Sequence, residues 1–298
     1  MTTAPRTEAT APAAAADRPL LEVRDLCVSY RTGRAASWRQ TAKNVVDQVT
    51  FDIRPGETLG LVGESGSGKS TIGRAVLRLV DPASGTISFD GRDVTGFGRS
   101  TPLSYRRDVQ AVFQDPASSL NPRHIARDAI TGPLRRHGRG SRKEREEAAA
   151  EAFRMVGLNP ALLTRYPMEL SGGQRQRVAI ARAIALKPRL VICDEAVSAL
   201  DVSTQSQIVN LLADLQESTG VSFLFITHDL RLVRHISQRI AVLQHGRLVE
   251  FADTERLFRT TQESYTRRLL AAIPATDPEG REHRRARRAA HRTAPSTS

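Results

Sequence analysis

Residues 57–71 read ETLGLVGESGSGKST: an apolar run, a glycine-rich loop, then a lysine followed by hydroxyl residues. Gly63 to Ser70 satisfies G-x-x-x-x-G-K-[ST]. With a strand before it and a helix after it, this pattern turns backbone amides inward around an anion and points the positive end of the helix at the same place. A chain carrying it must contain a buried strand that stops at a loop and returns as a helix, which is the unit of an α/β protein with a mostly parallel sheet. Gly63, Glu64, Ser65, Gly66, Ser67, Gly68 and Thr71 are candidate phosphate-cradle residues. Lys69 is placed to reach β- and γ-phosphates, and the Ser70 hydroxyl to hold Mg²⁺. The chain has only four lysines among its 44 basic residues, so a lysine at this position is not background.

The remaining pattern supports alternating strands and helices. LLEVRDLCVSY (20–30), VVDQVTFDI (45–53), GTISFDGRDV (85–94), LVIC (190–193) and VSFLFIT (221–227) read as strands, with RTGRAASWRQTAK (31–43) as a hairpin loop. RIAVLQHGRLVEFA (239–252) reads as a hairpin turning at His-Gly. Residues from about 103 to 187 read as mostly helical, and SRKEREEAAAEAFRMVGL (141–158) opens with a capping box of Ser141 and Glu144. The early β segments are expected to form a separate antiparallel layer and the middle third a helical subdomain. Cys27 and Cys193 sit in apolar strands, which points to buried free thiols in a reducing compartment. No apolar run approaches the roughly 20 residues a bilayer requires. The net charge of +12 is almost all arginine. It reads as a composition bias combined with a location near a membrane, because no base-reading module accompanies it.

Further motifs carry chemistry with differing specificity. RLVICDE (189–195) ends a strand in two carboxylates. Asp194 is placed to hold a Mg²⁺ hydration shell and Glu195 to polarise an attacking water. Gln114, in AVFQDPASSLNPR (111–123) and after a short apolar strand, reads on spacing alone as a polar loop residue, with a Mg²⁺- or water-positioning amide as the alternative. His228 follows a strand where ligand crevices lie, and serves either as a structural histidine or as a γ-phosphate donor. Tyr30 is a strand-end aromatic that either packs or stacks on a base. LSGGQRQR (170–177) offers Ser171 as an N-cap and open amides at Gly172 and Gly173. It is either a capped helix start or an anion site whose anion comes from elsewhere.

The order GESGSGKST, VFQDP, LSGGQRQR, LVICDE, SALD (198–201) and THD (227–229) resembles the nucleotide-binding subunit of ABC transporters, over about residues 20–274. The resemblance implies an ABC ATPase domain over 20–252 that uses ATP and Mg²⁺. The Ala/Thr/Pro-rich residues 1–19 and the basic, Arg-rich residues 275–298, which carry no apolar period, read as disordered tails independently of the resemblance. The resemblance also implies a head-to-tail dimer in which Ser171, Gly172, Gly173 and Gln174 contact the γ-phosphate of ATP held by the partner, with Asp201 at the seam. Gln114 would sense the γ-phosphate and bind Mg²⁺, Tyr30 would stack on adenine, Glu195 would be the general base and His228 the switch histidine. VFQDPASSLNPR, CDEAVSALDVSTQSQIVNLL and SYTRRLLAAIP (264–274) further resemble the ATP-binding subunits of oligopeptide and dipeptide importers, whose C-terminal extension would occupy 253–274. Met168 stands where that family usually has histidine, and QESYT replaces its His-Pro-Tyr-Thr. The C-terminus lacks the clustered cysteines of some relatives, so no iron–sulfur cluster is expected. The expected partners are a second ATPase subunit, two membrane permeases and an external solute-binding protein, at the cytoplasmic face of a membrane and without nucleic acid. Nickel or another small solute, export, and a soluble non-transport ATPase are the alternative functions.

Overall fold

The computed structural model describes residues 18–32, 41–97, 100–115 and 120–272. The tails expected at 1–19 and 275–298 fall outside that description apart from residues 18 and 19, as does most of the 31–43 loop. Two sheets form the body. A four-stranded antiparallel sheet has the order β2-β1-β4-β5, built from β1 (Leu21–Thr32), β2 (Thr41–Ile53), β4 (Ser84–Phe89) and β5 (Arg92–Asp93). A six-stranded sheet has the order β10-β9-β3-β8-β7-β6. Its strands are β3 (Thr58–Val62), β6 (Val109–Phe113), β7 (Leu190–Asp194), β8 (Ser222–Thr227), β9 (Arg239–Gln244) and β10 (Arg247–Asp253). All of its pairings are parallel except β9 with β10, the hairpin that turns at His245–Gly246.

Strand periodicity explains why this sheet is buried on both faces. Leu190, Ile192, Leu224, Ile226, Ala241 and Leu243 point into one apolar cluster, shared with the antiparallel layer and α1 (Lys69–Val76). Val191, Cys193, Phe223, Phe225, Ile240 and Val242 alternate with them and point into a second cluster, shared with the helices. Such strands read as continuous hydrophobic runs because neither face is solvated. Both Cys27 and Cys193 are buried and unbridged, and burial pushes the Cys193 thiol up to about 12, so it is chemically quiet.

The span expected to be helical is interrupted. After the short α2 (Leu103–Asp108), β6 runs parallel to β7 and forms the edge of the core sheet. This β6 is the short apolar strand expected just before Gln114; its pairing with β7 is what residue spacing does not state. The helical arm itself comprises α3 (Ala126–Arg136), α4 (Arg142–Met155) and α5 (Gly172–Ile184). The Ser141–Glu144 capping box at the start of α4 is present in both directions, at 3.3 and 2.6 Å. The chain returns to the core through β7, α6 (Val202–Thr219), β8 and α7 (Leu230–Ile236). It ends, among the described residues, with α8 (Thr254–Thr260) and α9 (Ser264–Ala272).

One arginine ties the two sheets together. Arg239, with a side chain 12% exposed, donates to Asp52 of β2 at 2.7 Å and to Glu57 before β3 at 2.8 Å. Its guanidinium also lies 4.9 Å over the Phe251 ring. Removing the cation strands two carboxylates at the junction. Arg239→Met is therefore expected to lower unfolding stability by about 3 kcal/mol, read from the urea midpoint at unchanged slope.

Candidate nucleotide-binding site

Strand register gathers the predicted residues at one edge. Val62 pairs with Thr227, Ile226 with Asp194, and Asp194 with Phe113, so β3, β8, β7 and β6 end side by side. Gly63, His228, Glu195 and Gln114 each stand just beyond one of those ends. Carboxyl ends of neighbouring parallel strands form the crevice where ligands bind in open α/β sheets.

The glycine loop runs from β3 into α1, whose N-cap is Gly68. Gly63 sits at φ +155, and a Cβ there would lie 2.1 Å from the Leu243 carbonyl oxygen. Only glycine lets the chain pass so close to β9. The β9–β10 turn braces the loop from behind, with the Gly246 N–H donating to the Ser67 carbonyl at 2.9 Å. Lys69 is buried; its ammonium donates to the carbonyls of Gly63 and Glu64, both at 2.8 Å, and approaches Ser67 Oγ at 3.5 Å. Burial lowers its pKa, while Glu195, Asp194 and Glu64 pull the other way. The group that would meet phosphate is thus folded back on the loop's own acceptors.

The Ser70 hydroxyl donates to Asp194 Oδ1 at 2.7 Å. Asp194 is 8% exposed, and burial raises its pKa against the opposing effects of Ser70, Arg74 and Lys69. A hydroxyl and a buried carboxylate are hard oxygen donors that suit Mg²⁺. No cluster of three or more His, Cys, Asp or Glu that could hold a metal exists among the described residues.

Glu195 and His228 come together across the β7 and β8 ends, with His228 Nδ1 3.5 Å from Glu195 Oε1. Glu195 has φ +49, uncommon for a residue with a side chain. Its N–H donates to the Ile226 carbonyl at 2.9 Å, and its carbonyl accepts from Ser198 N–H and Oγ at 3.1 and 3.0 Å. Those three bonds hold the strained backbone and aim the carboxylate past the strand end. Gln114 and Tyr30 are exposed, Gln114 directly after β6 and Tyr30 near the end of β1.

The LSGGQ stretch stands on the helical arm. Ser171 caps α5: its Oγ accepts the Gln174 N–H at 3.2 Å and its N–H donates to Gln174 Oε1 at 2.9 Å. Two residues expected to face a partner's phosphate therefore satisfy each other within this chain. Gly173 packs against the start of α6, where a Cβ would come within 2.9 Å of Thr204 Cγ2. Asp201 caps α6, accepting from Thr204 N–H at 2.9 Å and from the hydroxyls of Ser203 and Thr204 at 2.6 and 2.7 Å. Those bonds hold its carboxyl well below the usual range.

One contact escaped the sequence reading. The Glu64 N–H of the glycine loop donates to the phenol oxygen of Tyr265 in α9, at 3.1 Å and 201 residues away. The SYTRRLLAAIP stretch served there only as a family marker, and no periodicity signals a loop contact across that distance.

The ABC transporter family profile matches residues 46–198. A protein of Sinorhizobium fredii named as a peptide ABC transporter ATP-binding protein is 49% identical over 262 residues, covering 87% of this chain and 74% of the relative. A Brucella ovis protein named as a peptide import ATP-binding protein is 48% identical over 268 residues, covering 90% of this chain and 83% of the relative. Among solved structures, an ATP-binding cassette caught as a dimer in a post-hydrolysis state with ADP and Pi shares the fold at a TM-score of 0.70. It is 31% identical, with 78% of this chain and 98% of that chain covered.

Proposed function

The chain belongs to the ABC transporter family, and from that premise we propose that it is the ATP-hydrolysing subunit of an importer for di- and oligopeptides. It binds ATP and is an ATPase of an import system. The observation that carries the chemistry is the convergence of Lys69, the Ser70–Asp194 pair and the Glu195–His228 pair at adjoining strand ends.

The residues divide the work of phosphoryl transfer to water. Phosphate entering the loop competes with the Gly63 and Glu64 carbonyls for the Lys69 ammonium, which then neutralises charge on the transferring group. Ser70 and Asp194 would hold Mg²⁺, which supplies further charge stabilisation when bound. Glu195 accepts a proton from the attacking water, and His228 beside it donates toward the γ-phosphate. Tyr30 would stack on adenine, and Gln114 would report the γ-phosphate and bind the Mg²⁺. The domain assignment follows the same reading: an ATPase domain over 20–252 with its helical arm, then an extension over 253–274.

A dimer completes the site. Ser171, Gly172, Gly173, Gln174 and Asp201 of one subunit would cover the nucleotide of the other. The dimeric state of the solved cassette supports this reading. Its partners would be a second ATPase subunit, two membrane permeases and an external solute-binding protein, with this chain at the cytoplasmic face. No helix among the described residues is long and apolar enough to cross a membrane. Cargo follows from the names of the relatives and from the SYTRRLLAAIP ending. Assembled with a second ATPase subunit, two permeases and a binding protein from the same organism and placed in liposomes, the chain is expected to drive ATP-dependent uptake of labelled tripeptide. Uptake of nickel and not peptide would overturn the cargo.

A further inference from the structure

Tyr265, near the start of α9, is 2% exposed. Its phenol oxygen accepts the Glu64 N–H at 3.1 Å, while the carbonyl of that same peptide unit, Gly63 C=O, accepts from Lys69 Nζ at 2.8 Å. One peptide of the phosphate loop is thus gripped at both polar ends, by the phosphate-reaching lysine on one side and by the C-terminal extension on the other. The grip falls where the backbone is most constrained, just after Gly63 at φ +155.

The tyrosine is presented by a docked element. Leu257 of α8 is fully buried in the same apolar cluster as Tyr265, with Leu269 and Leu270 packed against that cluster. Thr254 Oγ1 donates to the Ser237 carbonyl at 2.6 Å, anchoring the start of α8. The Tyr265 N–H donates to Glu263 Oε1 at 3.2 Å, and the Arg268 guanidinium lies 5.8 Å over the ring.

We infer that Tyr265 is a positioning residue of the nucleotide site: it presets the Gly63–Glu64 peptide, and so makes docking of the C-terminal extension a condition for full ATP affinity. When Lys69 leaves the Gly63 carbonyl for phosphate, the Tyr265 bond is the hold that remains on that peptide. Without it, ordering the loop falls on the nucleotide. The inference rests on the reading of Gly63–Ser70 as the nucleotide site.

The test is Tyr265→Phe in the full chain, which keeps the ring and its packing and deletes the acceptor oxygen. Binding of a fluorescent ATP analogue with Mg²⁺ and steady-state phosphate release are measured beside wild type. Losing one net hydrogen bond is expected to weaken nucleotide affinity and raise KM about 5- to 10-fold, with kcat within about twofold. A merely structural tyrosine would shift the melting temperature and leave KM in place. KM and affinity within about twofold of wild type overturn the inference, as does a fall in kcat at constant KM. Wild-type protein that bound no analogue would overturn the site reading and this inference together, and that failure shows before any variant is compared.

Discussion

Glu195→Gln binds Mg-ATP with affinity within about threefold of wild type and hydrolyses it about 100- to 1,000-fold more slowly, the range expected when a positioned general base is lost. The substitution is close to isosteric. It leaves the three backbone bonds that hold residue 195 at φ +49, so the turn after β7 keeps its shape. It leaves the Ser70–Asp194 pair one residue earlier, so the affinity that depends on those oxygens persists. The amide cannot take a proton from water, and His228 at 3.5 Å faces a neutral neighbour. Phosphate-release rates together with fluorescent-nucleotide titration separate these effects. Near-normal turnover in the variant would remove Glu195 from the role of base.

Ser171→Arg separates the two readings of LSGGQ. As a helix cap alone, Ser171 contributes about 1 kcal/mol to α5, and its loss should cost stability and little else. As part of a partner's site, an arginine there puts a long side chain where a γ-phosphate must seat. The variant is expected to keep ATP affinity at its own glycine loop and to lose hydrolysis by more than about 100-fold, the loss that follows when a charge-stabilising donor set is blocked. Ser171→Ala is the matched control: it removes the same cap without adding bulk, so its stability loss should match while its turnover falls far less. Equal activity in the two variants, when assembled with the partner subunit, would return this stretch to a capped helix start.

How much of this could be read from residues alone varied with distance along the chain. The glycine loop was legible because strand, loop and helix are contiguous and each position has a local reason. The capping box of α4 and the Ser171 N-cap of α5 were legible for the same cause. The meeting of Glu195 and His228 depends on β7 and β8 being neighbours in register, which residue spacing does not state. On their own, His228 and Gln114 read more readily as ordinary polar residues than as site groups. The short strand before Gln114 was legible, but its pairing with β7 was not, because an apolar run does not name its neighbour; the Tyr265 contact was hidden by the 201 residues between its partners. Nothing in composition or periodicity showed that Lys69 spends its ammonium on two carbonyls of its own loop.

In that last arrangement two carbonyls of the loop hold the Lys69 ammonium, so the protein acts as its own competitor for the lysine. A ligand must offer more to that ammonium than the two carbonyls already do. A nucleoside monophosphate, with nothing at the β and γ positions, makes no such offer, whereas di- and triphosphates do. On the proposed reading of the loop, affinity is expected to rise steeply from mono- to di- to triphosphate, a series that nucleotide titration measures.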